Sequence, residues 1–479
     1  MGRARRRARG LPALADRAAS ERADPPGRAC AHGAMTAPAL LIGILVLTLA
    51  LQAWLARRRL LVVLTGAGTS VLVCALYGLG DSRALLADVP WDVLVLLVSL
   101  GLLSEIFVEA RLFAVLAVRA AHASRASARG MILIFGVGMY VVSALMNNLT
   151  ALLLVLPVVL VLFRVVGVTQ RQAAWTLGTL VVACNLGGAA TPIGDFPAIL
   201  LLSRGSMGFV DYLSRALPAT AAALVVVISI AVLSQRSGGR PGAAKPLGPS
   251  LSLSLVRELY RNVRLDRRLA GPVAGAFAAM MVAWVLLPAS GAVGPELVAW
   301  LGVVLALAVR PALGERLIRQ RIDVEAVLFL LALFVMVVAV RRSGVFGDIG
   351  RALIALPLSP AAQLVLFLLL AGLLTGVFSA GPAMAALLEV AAILAQELPP
   401  NVVYVSLALA VCAGSSLFLT AATAGPLAQS LTERAALRDR DGEPILFGFR
   451  QFVPVGLVCF AVIEVTAIGY ALLGIATSE

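Results

Sequence analysis

Asp195 is a carboxylate in a place where one is costly. It stands in Cys184-Asn185-Leu186-Gly187-Gly188-Ala189-Ala190-Thr191-Pro192-Ile193-Gly194-Asp195-Phe196-Pro197, inside a stretch otherwise apolar enough to cross a membrane. At that depth a carboxylate is tolerated when it is paired, solvated or bound to a cation. The surrounding glycines and prolines cost a helix interior about 1 and about 3 kcal/mol each, so the helix is expected to break there. A break frees backbone carbonyls and amides and exposes two half-helix ends, the C-terminal one suited to cations and the N-terminal one to anions.

Three more apolar runs carry polar or Gly/Pro-rich interruptions: Met146-Asn147-Asn148-Leu149-Thr150, Ser379-Ala380-Gly381-Pro382, and Cys412 to Pro426 with Gly414-Ser415-Ser416, Thr420, Thr423 and Gly425. Small residues also serve simply to let membrane helices pack closely. Four interruptions in two matching pairs favour a site over packing alone, because broken segments at corresponding positions of two halves mark transport sites near the midplane. Glu389 and Glu464, and also Glu105, lie within apolar segments. Asp195, Glu389 and Glu464 are the candidates for carrying protons, although each carboxylate could equally pair within the bundle.

The elements that must position these residues follow from composition. Of 479 residues 61% are apolar and 13% charged, far from the balance of a soluble domain. Apolar segments recur at lengths that span roughly 30 Å at about 1.5 Å per residue. Lys and Arg near segment ends orient them: Arg57–Arg59 inside, Asp81 to Trp91 outside, and Arg119, Arg125 and Arg129 inside again. The stretch from Met131 to Val166 begins and ends beside basic residues, so it reads as a hairpin that turns back at Asn147–Thr150. A second hairpin spans 361–398. The chain is thus expected to be an all-α polytopic membrane protein of two inverted repeats. Each has five transmembrane crossings plus one re-entrant hairpin, with broken helices at the midplane. Residues 36–234 form the first repeat, 235–268 a basic cytoplasmic linker and 269–475 the second repeat. Arg341 and Arg342 fall outside, against the charge rule. Residues 1–35 read either as a basic disordered tail or as an extension upstream of a start at Met35.

The net charge of +14 sits in short loops without interleaved aromatics, which sets topology and argues against nucleic acid as a partner. The five cysteines are scattered without metal-ligand spacing,. His32 and His122 lie outside the apolar segments, so no His-built metal site is expected and no catalytic set converges for a membrane enzyme,.

Ser143 to Pro157, SALMNNLTALLLVLP, followed by CNLGGAATPIGDFPAILL at 184–201, resembles the paired signature of the ion transporter superfamily. That group includes arsenite permeases, the melanosomal P protein, NhaD-type sodium/proton antiporters and divalent-anion:sodium symporters, and it contains citrate-transporter-like domains. The resemblance implies a cation site built from Asn148, Thr150, Asn185, Gly187, Gly188, Gly194 and Asp195, with Thr191 beside it. It also implies an elevator-type motion and often a homodimer. The chain departs from this pattern at Asn147, where arsenite-permease and P-protein relatives usually carry an Asp. It departs again in the second half, which offers fewer side-chain ligands, so at most one cation is expected to bind well.

The expected protein is an integral membrane permease of a bacterial plasma membrane, surrounded by lipid and free of cofactors other than a sodium ion. Its substrate would be a small anion or organic acid held by Asn147, Thr191, Ser379, Gly381, Ser415, Ser416, Thr420 and Thr423, coupled to sodium or protons. A cation/proton antiporter is the alternative, because no Lys or Arg falls in the four breaks.

Overall fold

The computed structural model describes residues 36–55, 58–124, 127–203, 207–235, 265–287, 293–378, 380–439 and 442–477. The expected tail, 1–35, and most of the expected linker, 236–264, lie outside the described residues. The described chain is built mainly of helices. The first half runs α1 (Thr36–Trp54), α2 (Arg59–Leu76), α3 (Ser82–Ala87), α4 (Trp91–Glu109), α5 (Leu112–Ala123), α6 (Ala128–Leu145), α7 (Asn148–Val166), α8 (Gln170–Ala190), α9 (Phe196–Ser203) and α10 (Phe209–Ser234). The second runs α11 (Arg267–Leu286), α12 (Pro295–Ala308), α13 (Pro311–Arg321), α14 (Val324–Arg342), α15 (Val345–Ile354), α16 (Pro360–Phe378), α17 (Ala380–Leu394), α18 (Pro400–Ser415), α19 (Gly425–Ala435) and α20 (Phe449–Ala476).

Each helix of the first half has its counterpart ten places later, and the packing repeats with the order. Helix α2 packs on α14, and their counterparts α12 and α4 pack on each other. The same exchange relates α6 on α8 to α16 on α18, α8 on α10 to α18 on α20, and α9 on α17 to α19 on α7. Helices α8 and α18, and likewise α10 and α20, meet their own counterparts. These exchanges fit two repeats related by a two-fold axis.

Among the described residues, eight helices (α2, α4, α8, α10, α11, α14, α16 and α20) are long and apolar enough to span a membrane. Helices α1, α12 and α18 and the hairpin arms α6, α7 and α17 are shorter apolar helices, and α8 and α18 are continued beyond a break by α9 and α19. Short helices α3, α5, α13 and α15 occupy stretches that loop charge alone leaves undescribed. The breaks are narrower than the residue types suggest. Gly187, Gly188 and Gly414 remain helical, and the irregular backbone is confined to Thr191–Asp195 and to Ser416–Ala424. The first hairpin turns at Met146–Asn147, whereas Asn148–Thr150 already belong to α7. Tertiary packing overrides glycine's weak helix propensity here.

Ion pairs between separate segments test the orientation drawn from loop charges. Arg59 meets Glu325 at 3.0 Å, Arg310 meets Asp266 at 2.8 Å, Arg316 meets Glu109 at 3.1 Å and Arg321 meets Glu105 at 3.8 Å. All eight residues are ends that the charge rule places inside. At the opposite end Arg342 donates to Asp88 at 2.8 and 2.9 Å and to the Ala84 carbonyl at 3.0 Å. Arg341 lies 3.4 Å from Asp88 and 3.7 Å from Glu389. The two arginines that break the charge rule are therefore neutralised by carboxylates on the same side.

The Arg342 guanidinium bonded to Asp88 holds that carboxyl below the usual carboxylate range. A depressed folded-state value stabilises the fold above the unfolded value, near about 4, and the contribution disappears as pH falls through the folded value. Asp88→Asn is expected to lower the melting temperature at neutral pH by the equivalent of about 1 kcal/mol or less, since the pair is partly exposed. The deficit relative to wild type should shrink below about pH 4. A deficit independent of pH in a detergent melting series would show that the charge is not its source.

Candidate functional site

The first hairpin and the first broken helix are stitched together by side chains. Asn147 caps α7, its side-chain oxygen accepting from the Leu149 N–H at 2.9 Å. The Thr191 hydroxyl donates to the Ala144 carbonyl at 2.5 Å, which joins the end of α6 to the start of the break. The Ser143 hydroxyl lies between the Asn148 side-chain oxygen and the Cys184 carbonyl, 2.8 Å from the latter, and donates to them. The Cys184 thiol in turn donates to the Asn148 carbonyl at 3.3 Å.

Asn148 then turns its amide nitrogen to Asp195, donating to Oδ2 at 2.9 Å. The other carboxylate oxygen accepts the Phe196 N–H at 2.9 Å. Asp195 thus sits at the start of α9, where unpaired helix N–H groups favour negative charge. Close approach of backbones makes this possible. A Cβ on Gly187 would stand 2.3 Å from the Tyr140 carbonyl, and one on Gly188 would stand 2.7 Å from Asn148 Oδ1 and 2.8 Å from Asp195 Cβ. At Gly194 the Ser143 carbonyl would be 2.3 Å away.

The second repeat reaches this cluster through Asn185. Its amide nitrogen donates to the Ser415 carbonyl at 3.1 Å and to the Ser416 hydroxyl at 3.2 Å, so one amide on α8 holds the end of α18. The hydroxyls of Ser415 and Ser416 both donate to the Cys412 carbonyl at 2.9 Å. Between the repeats lies a cavity of about 10 Å³, lined by Asn185, Asp195, Tyr212, Ala380, Cys412 and Ser415 among others. That is the scale of one water or a bare cation.

Of the residues singled out from sequence, Asn185, Asp195 and Ser415 face this cavity, and Ser416 supports Asn185 from behind. Gly381 lies beside the Phe196 ring, 3.3 Å from where its Cβ would stand, so the second hairpin tip abuts the first broken helix. Asn148 does not line the cavity. Both ends of its amide are bonded to protein, the oxygen to the Ser143 hydroxyl and the nitrogen to Asp195. Thr191 and Asn147 likewise hold backbone. Thr150 is half-buried away from the cavity lining, and Thr420 and Thr423 are exposed. Ser379 lies outside the described residues. Glu389 faces Arg341, at the end of the bundle opposite the Arg59–Glu325 pair, and Glu464 is buried elsewhere in the bundle.

Sequence reasoning missed Ser143 and Tyr212. Tyr212 on α10 lines the cavity and donates to the Ala189 carbonyl at 2.7 Å, bracing the last turn of α8. A hydroxyl in an apolar helix is the only signal for either, and such hydroxyls commonly bond back to their own helix.

Paired breaks, the first met by both hairpins, with a small cavity between the two broken helices, define a polytopic membrane transporter. The chain belongs to the CitMHS family, described as citrate transporters, whose profile matches residues 44–414 and again 292–475. Among curated relatives, the magnetosome protein MamN of Paramagnetospirillum magneticum is 27% identical over 377 residues, covering 77% of this chain and 83% of that protein. The 46 kDa membrane protein of Mycobacterium leprae is 26% identical over 441 residues, 91% of this chain and 96% of that one. The human P protein is 35% identical over 140 residues, 29% of this chain and 16% of its own length. In fold, the YdaH transporter of Alcanivorax borkumensis aligns with a TM-score of 0.50 at 15% identity, covering 92% of this chain and 98% of that one.

Proposed function

We propose that this transporter moves a small carboxylate-bearing anion, coupled to sodium or protons, through the cavity between Asp195 and Ser415. The observation that carries the reading is Asp195 itself. It is a carboxylate held by Asn148 and by the Phe196 N–H, facing a small cavity to which both broken helices contribute. Among the described residues no basic side chain lines that cavity. An anion there needs a co-bound cation, helix N-termini and the polar groups of Asn185, Tyr212 and Ser415 for charge balance. Asn185 commits its nitrogen to the second repeat, which leaves its amide oxygen for a cation shared with Asp195. The family description makes citrate the first anion to try.

The same unaccompanied carboxylate favours a second reading, cation/proton antiport. Proteoliposomes separate the two. Accumulation of labelled citrate, or of a smaller dicarboxylate, driven by a sodium or pH gradient supports the first. A sodium-driven change of internal pH with no anion present, and no anion uptake under either gradient, would replace it with the second.

A further inference from the structure

Glu464 lies in the middle of α20, 3% exposed, and neither of its carboxylate oxygens has a hydrogen-bond partner among the described residues. It fills the space opposite Gly372 on α16, where a Cβ would stand 2.7 Å from Glu464 Oε2. On its other side Gly372 presents its carbonyl to Gly414, 2.2 Å from where a Cβ of Gly414 would stand. Gly414 is in the last turn of α18, next to the break that borders the cavity. A single glycine therefore separates Glu464 from the backbone of the second broken helix.

The first repeat fills the corresponding space differently. The carbonyl beneath Gly187 belongs to Tyr140, whose ring reaches α10 and whose hydroxyl lies 2.9 Å from Thr220 Oγ1 and 3.3 Å from the Leu217 carbonyl. In the second repeat the side chain on the hairpin arm is absent, and a carboxylate on the following long helix replaces the tie without acquiring a partner.

Among the described residues no charged group is hydrogen-bonded or ion-paired to it. Helix α16 carries no ionisable side chain. The ionisable groups on the other helices packed against α20 are Tyr404 and Cys412 on α18, Arg171 and Cys184 on α8, and Asp211, Tyr212 and Arg215 on α10. On α20 itself they are Arg450, Cys459 and Tyr470. None of these is hydrogen-bonded or ion-paired to Glu464. An ionised carboxylate so placed would cost several kcal/mol, so in this conformation the group is the neutral acid. An acid whose O–H also lacks a partner is still a liability for stability, and its presence in a membrane helix points to function.

We propose that Glu464 is the proton-binding site of the transport cycle. It holds a proton while α16 is packed on it, and it ionises when the second hairpin moves and water reaches it. The proton comes from water on one face, forms the O–H bond at a Glu464 oxygen, and returns to water on the other face. This inference rests on the ion-coupled transport reading, for which it names the residue that carries the proton.

Two measurements on the full chain test it. The infrared spectrum of purified protein at neutral pH is expected to contain the carbonyl stretch of a protonated carboxylic acid, and Glu464→Gln is expected to remove it. Identical spectra would overturn the proposal, whatever the substrate is. In proteoliposomes, Glu464→Gln should retain exchange of labelled citrate across the membrane while losing accumulation driven by a pH gradient. Accumulation by Glu464→Gln equal to that of wild type would overturn it as well. Failure of wild type to carry citrate would count against the substrate reading and leave the infrared result to decide the site.

Discussion

Asp195→Asn is expected to lower the initial rate of gradient-driven uptake by about 10- to 150-fold, the consequence of losing about 1.5–3 kcal/mol of charge-assisted interaction. The protein should remain folded. The substitution keeps volume and shape, and the ties that fix the break, Thr191 to Ala144 and Asn185 to Ser416, do not involve Asp195. What changes is charge at the cavity and the polarity of one contact: Asn148 donates its amide nitrogen to Asp195 Oδ2. An asparagine at 195 has one acceptor oxygen for two donors, so it either keeps the Asn148 bond and sets its NH2 against the Phe196 N–H, or keeps the Phe196 bond and sets two amide nitrogens against each other. Asn148→Ala distinguishes charge from orientation. It leaves Asp195 ionisable but removes the donor that aims it, so a smaller loss of rate is expected, with weaker dependence on the coupling cation. Uptake by Asp195→Asn at wild-type rate and with unchanged pH profile would remove Asp195 from the mechanism. Detergent melting temperatures of both variants, measured in parallel, guard against reading unfolding as lost transport.

Much of the scaffold is legible in the sequence because the bilayer imposes it. Apolar run length gives the spans, and loop arginines give their orientation. Pairs such as Arg316 with Glu109 and Arg342 with Asp88 then join ends assigned to the same side. The site was legible only in outline. Asn185 and Asp195 were marked by residue type, as was Ser415, but their partners were not, because the contacts span great distances along the chain. Asn185 reaches Ser416 across 231 positions and Asn148 reaches Asp195 across 47, and no local pattern encodes either. The breaks were drawn too wide for a related reason. Gly187 and Gly188 have the propensity of a helix breaker, yet α6 needs the missing side chain of Gly187 in order to approach α8, and the side chains of Asn148 and Asp195 fill the space beside Gly188. Whether such a glycine breaks a helix or seats a neighbour depends on what lies across from it, which the sequence alone does not state. Thr420 and Thr423 illustrate the converse: hydroxyls in the right segment, turned away from the cavity by the path of the backbone.

The glycine at 414 offers the sharpest test of that packing. A Cβ there would lie 2.2 Å from the Gly372 carbonyl oxygen, 2.5 Å from Thr375 Cβ and 3.0 Å from the Gly376 nitrogen. Two of these three are backbone atoms, and the third is the first carbon of a side chain, so no rotamer change relieves the contact. Helix α16 must move away from α18. Overpacking of this kind costs typically about 1–3 kcal/mol, and Gly414→Val, with a branched side chain at the same point, should exceed Gly414→Ala. The displacement also falls on both proposed functional elements. It separates the second hairpin from the second break, and it shifts Gly372, the residue that seals Glu464. Gly414→Ala is therefore expected to lower the melting temperature and to reduce uptake by more than its loss of folded protein explains, with the pH dependence of uptake altered. Gly275→Ala supplies the comparison. It lies within α11 with nothing within 4 Å of its missing Cβ, so alanine's higher helix propensity should leave stability unchanged or slightly raised. Equal melting temperatures for Gly414→Ala and Gly275→Ala would mean that α16 and α18 are not in the close contact described, and the route from Glu464 to the second break would fall with it.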